Sequence, residues 1–259
     1  MLNLAKADLY RMVRTKGSYL CIGSIIVMYL LSMITNQPLV ISLGYSTDVI
    51  SDTTLKTDMV MLACNFNYYF LMLFPISVLI ISDFSGKTVK NTLCSVTSKG
   101  KYFVFKSLFA ECVSLTLFLL GNSVYYLFHR IFYGAKGSTQ ASVFFRILIL
   151  QVPIFIAMIS IFVLFAFTIR TSAVFNAVMI TVPVVLSGVI GLLLFIRSTK
   201  RFAQDYLVRY DITALFDKMV QYRTDTNFVI QTVTGSIAVT VIVFAIGLRC
   251  FRKSEPLRQ

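Results

Sequence analysis

Six stretches of this chain are apolar for longer than a soluble core uses: residues 18–35, 59–82, 102–128, 143–169, 177–196 and 228–248. A hydrocarbon layer of roughly 30 Å takes about 20 apolar helical residues to cross. Four of these blocks (18–35, 59–82, 177–196 and 228–248) hold no Asp, Glu, Lys or Arg. Block 143–169 holds Arg146 alone, near its start, and block 102–128 holds Lys106 and Glu111. None shows the period-two alternation of a membrane β-strand, and backbone in lipid must satisfy its own hydrogen bonds, so the blocks read as helices. Only 14% of the residues are charged, against about 25% in soluble domains. The expectation is a single all-α integral membrane domain over residues 1–259, with six transmembrane helices.

The charge distribution sets the expected orientation. Six spans put both termini on one side of the membrane. That side, with residues 1–17, 83–101, the turn at Arg170 and the C-terminus, collects 14 basic residues (Lys106 included) against three acidic ones. The other side has 10 basic residues against seven acidic. Lys and Arg concentrate in the cytoplasm, so both termini are expected there. The net charge of +13 is then an excess facing anionic membrane lipids, and nucleic acid is not an expected partner.

Residues 1–17 do not read as a cleaved signal, because no small-residue cleavage site follows the first apolar run. At helical spacing Leu2, Ala5, Leu9, Met12 and Val13 share an arc, with Arg11 and Arg14 opposite. That is the pattern of a helix lying in the membrane interface. The loop 197–227, expected to be extracellular, repeats the idea. Phe202, Tyr206 and Tyr210 recur every four residues, and Leu215, Phe216 and Met219 continue an apolar face. Short amphipathic helices, with a turn near Asp211, are expected before the last span.

The residues exclude several chemistries. The one histidine, His129, leaves little room for a His-based triad. The five cysteines are scattered without metal spacing. Ser85-Gly86-Lys87-Thr88 resembles the end of a phosphate loop, but the earlier glycine is missing because position 81 is Ile81. Catalytic, metal and cofactor residues are therefore not expected in this chain. Glu111 is the one acid inside a block, and an intramembrane carboxylate is a functional candidate by default. It is open to two plainer roles: facing a wet vestibule, or pairing with a lysine such as Lys106. Asn65, Asn67, Asn122, Gln151 and Gln231 read as interhelical hydrogen-bond partners. Ser187 and Gly191 form a small-xxx-small pair in the fifth block, suited to close helix approach, within the chain or between copies.

The loop 83–101 carries the most specific pattern. Val89, Leu93 and Val96 share one face of a short helix, which Gly86 opens and Thr88 caps. An acid ends the second block at Asp83, Gly86 and Thr88 follow, Lys99 lies in a small-residue turn, and Tyr102 and Lys106 enter the third block. This resembles the signature of the type-2 ABC transporter permease family, with Val96 where the family often has Pro and Lys99 where it often has Arg. The interfacial helix, the six spans and the outer helices before the last span match that family along the whole length. The short, Phe- and Tyr-rich chain resembles permeases of bacterial lantibiotic or bacitracin immunity and of phenol-soluble modulin export.

The resemblance implies the membrane subunit of an exporter of amphipathic or antimicrobial peptides, in the cytoplasmic membrane of a bacterium. Mg-ATP would be bound by separate cytoplasmic ATPase subunits, and a second permease copy or a similar permease would complete the pore. It also makes Gly86, Lys87, Thr88, Val89, Lys90 and Leu93 the ATPase-coupling helix, and puts the first and fifth spans, with Ser187 and Gly191, at the dimer contact. Lipids, drugs or polysaccharide precursors are alternative cargoes. A membrane enzyme or a secondary transporter is a weaker alternative, for want of catalytic groups or an inverted repeat.

Overall fold

The computed structural model describes residues 2–36, 56–62, 66–86, 89, 98–196, 200–202, 212–221 and 225–253. Among these every regular element is helical. The chain runs through α1 (Leu2–Arg14), α2 (Lys16–Thr35), α3 (Thr57–Val60) and α4 (Phe66–Ile76). A π-helical turn, Ser77–Ile81, joins α4 to α5 (Ser82–Ser85). Then come α6 (Lys99–Gly137), α7 (Ala141–Ile169), α8 (Ser172–Phe195), α9 (Lys200–Phe202), α10 (Ile212–Gln221) and α11 (Thr226–Lys253). Four helices, α2, α6, α7 and α11, are long and apolar enough to cross a membrane. The chain is an all-α, membrane-embedded protein.

Helices α6 and α7 form the central hairpin, and aromatic side chains set its register. Phe103 meets Phe167 at 4.6 Å between ring centroids, Phe118 stacks on Phe155 at 4.2 Å, and Tyr126 stacks on Phe144 at 4.3 Å. Helix α11 runs parallel to α7, with Phe251 5.0 Å from Phe167. A Cβ on Gly247 would stand 2.8 Å from the Phe103 ring and 3.4 Å from Leu164, so only glycine permits this approach. Lipid tails are as apolar as these side chains, so fit and interhelical hydrogen bonds, not the hydrophobic effect, hold such helices together. Gly134 ends the regular part of α6 at a positive φ of 68°.

The second apolar block departs from one unbroken helix in two places. Its start is a separate turn, α3, followed by Met61 and Leu62. Their carbonyls accept hydrogen bonds from Tyr68 Oη at 3.3 Å and Gln151 Nε2 at 2.9 Å. Farther along, Pro75 supplies no N–H inside α4. The π turn follows, and its carbonyls are claimed by side chains: Ser82 donates to Val78 O, and Lys106 Nζ donates to Leu79 O at 3.0 Å.

Helix α10 has the amphipathic character expected of the loop 197–227. It buries Phe216, Met219 and Val220, and Phe216 packs 5.6 Å from the Tyr68 ring. Gln151 bridges the two segments by donating also to Phe216 O at 3.4 Å. Tyr206, Tyr210 and the turn near Asp211 lie outside the described residues. Asn122 bonds within its own helix, to Phe118 O at 2.9 Å, so it does not serve between helices as expected. Asn65 and the Asn67 side chain lie outside the described residues, and the Gln231 side chain is exposed.

Replacing Gly247 with Val should lower the thermal stability of the detergent-solubilised chain by about 1–3 kcal/mol, the usual cost of overpacking. Gly235→Val on the same helix, where a Cβ meets open space, should leave it nearly unchanged. A size-exclusion thermostability assay on both variants checks this; equal midpoints would mean that the Phe103 ring yields.

Candidate functional site

Charged side chains from three segments converge where α1, α5 and the start of α6 meet. Lys106, on α6, is fully buried, and its ammonium lies 2.7 Å from Asp8 and 2.6 Å from Asp83. Its third direction is taken by the Leu79 carbonyl of the π turn. Arg11 reaches Asp83 at 2.5 Å, Asp8 at 2.8 Å and the Ser82 hydroxyl at 2.7 Å. The Tyr102 hydroxyl donates to the second oxygen of Asp83 at 2.9 Å. Two carboxylates thus face two cations, and formal charge balances inside the cluster.

Local sequence explains the convergence. Asp8 and Arg11 are i, i+3 on α1 and so share one face. Asp83 stands just past the π turn. Tyr102 and Lys106 are i, i+4 at the start of α6, stacked on the same side. Leu9 and Val13 on α1 stay about half exposed, as an interfacial helix requires, while its polar Asp8–Arg11 side docks inward. Arg11, expected opposite the apolar arc, bonds Asp83 and Ser82, while Leu9 and Val13 of that arc stay exposed.

Burial raises the Asp8 carboxyl above the usual carboxylate range, despite the hydrogen bond and charge of Lys106. Burial pushes Asp83 the same way, but Lys106 and Arg11 outweigh it and hold that carboxyl below the usual range. The two acids therefore differ: the neighbouring cations prevail at Asp83, and burial prevails at Asp8. Buried ion pairs often add little net stability over an apolar alternative, yet stranding one member costs several kcal/mol. The cluster works as a registration device, holding both ends of the loop 83–101 against α1.

The family-signature positions divide. Asp83, Tyr102 and Lys106 are brought together. Gly86 caps α5, and Lys99 opens α6 at the far end of the same loop. Val89 is buried. Lys87, Thr88, Lys90 and Leu93, the rest of the expected coupling helix, lie outside the described residues. The sequence reading missed Asp8. Its signal was present: Asp8 is the one acid in the first 47 residues, three positions from an arginine.

Glu111 does not pair with Lys106, whose three donors are committed elsewhere; it accepts a hydrogen bond from Ser160 Oγ at 3.0 Å instead. Gly191 has open space around its Cβ position, so the close intrachain approach is not made there. The Ser187 side chain lies outside the described residues. His129 is buried at the opposite end of α6, with Nδ1 2.9 Å from Ser138 Oγ. There Lys56 donates to Ser138 O at 2.5 Å, and the buried Asp58 accepts from Thr139 N at 2.7 Å, tying α3 to the α6–α7 turn. Among the described residues no group of His, Cys, Asp and Glu is arranged to hold a metal ion.

No protein-family model matches this chain, and no curated protein matches it.

The opposite shifts of the two acids set a pH prediction. Asp83, with its lowered folded value, contributes stability above its ordinary value of 3.8 that is lost as the pH falls through the folded value. Asp8, with its raised value, costs stability at neutral pH, a cost relieved on acidification. At pH 7 Asp83→Asn should therefore destabilise the chain by about 3–5 kcal/mol, as for a broken buried pair, and Asp8→Asn by less. In an infrared titration from neutral pH, the first protonated carboxyl band of the cluster should vanish in Asp8→Asn. Its loss in Asp83→Asn alone would reverse the assignment.

Proposed function

We propose that this chain is the membrane-spanning permease subunit of an ATP-driven ABC exporter, working with separate cytoplasmic ATPase subunits that bind Mg-ATP. The observation that carries the proposal is the charge cluster. Asp83 at one end of the loop 83–101 and Tyr102 with Lys106 at the other are bonded to one another and to α1. A partner that moves this loop moves the roots of two helices and the interfacial helix together. That rigidity is what transmission of a nucleotide-driven motion needs, since coupling travels through contiguous contacts.

The rest of the reading follows from length and charge. The run 66–82 and helix α8, of 24 residues, rise about 1.5 Å per residue and are long enough to serve as the second and fifth spans. With α2, α6, α7 and α11 they would make the six spans of this reading, and the basic bias supports cytoplasmic termini. Helix α8 buries Phe175 and Met179 near its start but leaves Val185, Val189, Leu192 and Phe195 exposed. With the open space at Gly191, this supports pairing with a second permease copy or a similar permease. Amphipathic or antimicrobial peptides are the cargo that the family resemblance favours; lipids, drugs and polysaccharide precursors share the same route.

The loop 86–95 is the docking element, with Leu93 in a groove of the ATPase and Lys87 and Lys90 at its rim. Affinity-purified chain from native membranes should carry an ABC ATPase. Leu93→Asp would bury an unpaired charge in that contact, so the variant should lose the ATPase while keeping its thermal midpoint. A Leu93→Asp complex that assembles and transports normally would sink the coupling role. For the pairing, cysteine at position 191 in a background without native cysteines should cross-link between copies of the assembled transporter. Its absence counts against that contact.

A further inference from the structure

The α6–α7 seam is aromatic in layer after layer, except for one. Between the Phe103–Phe167 layer and the Phe118–Phe155 layer lie Glu111 and Ser160. Glu111 is twelve residues past Lys99, the first residue of α6, or about 18 Å along the helix, and well inside an apolar span. The Ser160 hydroxyl has one proton and two acceptors within reach, Glu111 Oε1 at 3.0 Å and its own helix's Ile156 O at 2.9 Å. Among the described residues nothing else bonds the Glu111 carboxylate. Lys106, five residues earlier, is spent on Asp8, Asp83 and Leu79 O. An ionised carboxylate held by half a share of one neutral donor is strongly disfavoured in this medium; it takes a proton or a cation from outside the chain.

The approach is open on one side. Glu111 itself is partly exposed, and Leu108 and Cys112, on the flanking turn, face outward. Ser160 is buried against the hairpin. A ligand arriving through the bilayer would therefore meet the carboxylate beside Leu108 and Cys112, with its apolar body on the lipid side, since the rings of the two flanking layers are themselves buried. We propose that Glu111 and Ser160 form an intramembrane site for the cationic group of an amphipath, an ammonium on an apolar body. Glu111 supplies the counter-charge and Ser160 orients the carboxylate. The site needs no ATPase, so its failure leaves the exporter proposal standing, and loss of the ATPase partner leaves the site standing.

The test uses the purified full chain in nanodiscs of phosphatidylglycerol, which bring no ammonium of their own. Dicyclohexylcarbodiimide, which attacks protonated carboxyls in apolar surroundings, should modify Glu111, read by peptide mass spectrometry. Dodecyltrimethylammonium should slow that modification about tenfold or more, the effect expected of a desolvated charge pair. Dodecanol, with the same tail and no charge, should not. Slowing in phosphatidylethanolamine nanodiscs without added amphipath would assign the same ammonium chemistry to a lipid headgroup. Glu111→Gln should lose binding of radiolabelled dodecyltrimethylammonium by a similar factor, and Ser160→Ala should weaken it less. The wild-type protection experiment stands even if a variant folds poorly. Labelling that the cation leaves unchanged, equal slowing by dodecanol, or a folded Glu111→Gln chain that binds the cation as wild type does would each overturn the site.

Discussion

Lys106 is an ammonium buried among helices with no access to water, and the structure around it exists in this form because its three donors must be met. Taking such a charge out of water costs several kcal/mol, which only close and well-oriented acceptors offset. The acceptors come from places far apart in the chain: Asp8 on α1, Asp83 beyond the π turn, and a carbonyl inside that turn. Meeting them docks α1 by its polar side and leaves Leu9 and Val13 exposed. It also draws the π turn's carbonyl off the regular helical pattern and fixes how α6 begins. Arg11 and Tyr102 then complete the coordination of Asp83.

Above that cluster the bundle is held by shape. A membrane interior offers little hydrophobic drive for one helix to leave lipid for another, so ring stacking, glycine approaches and side-chain hydrogen bonds to carbonyls carry the association. The Phe103, Phe118 and Tyr126 layers index α6 against α7, and Gly247 lets α11 settle onto the Phe103 ring. Gln151 closes the gap left where the second apolar block is interrupted, by reaching Leu62 O. Against such a seam the Glu111–Ser160 layer stands out as a place where polarity was retained without an internal counter-charge.

The division between the two acids of the cluster bears on how it could act. Lys106 and Arg11 hold the Asp83 carboxyl below its ordinary value, while burial holds the Asp8 carboxyl above it. The pairs join both ends of the 83–101 loop to α1. The flank of α8 with Val185, Val189, Leu192 and Phe195 is exposed.

Much of this was written in one dimension. The uncharged apolar blocks dictated helices, because no other backbone arrangement can satisfy itself in lipid. Leu215, Phe216 and Met219, at i, i+1 and i+4, dictated an amphipathic α10, and the paired positions 102 and 106 put Tyr102 and Lys106 on one face. Tertiary structure alone decided which acid each cation met, since Lys106 stands five residues from Glu111 and 98 from Asp8 yet bonds only the distant one. Periodicity specifies which side of a helix a residue occupies, but not which helix that side will face. The breaks at Met61–Leu62 and at the π turn were hidden for the same reason: they form where Tyr68, Gln151 and Lys106 claim backbone carbonyls across space, and hydropathy carries no trace of a carbonyl's partner.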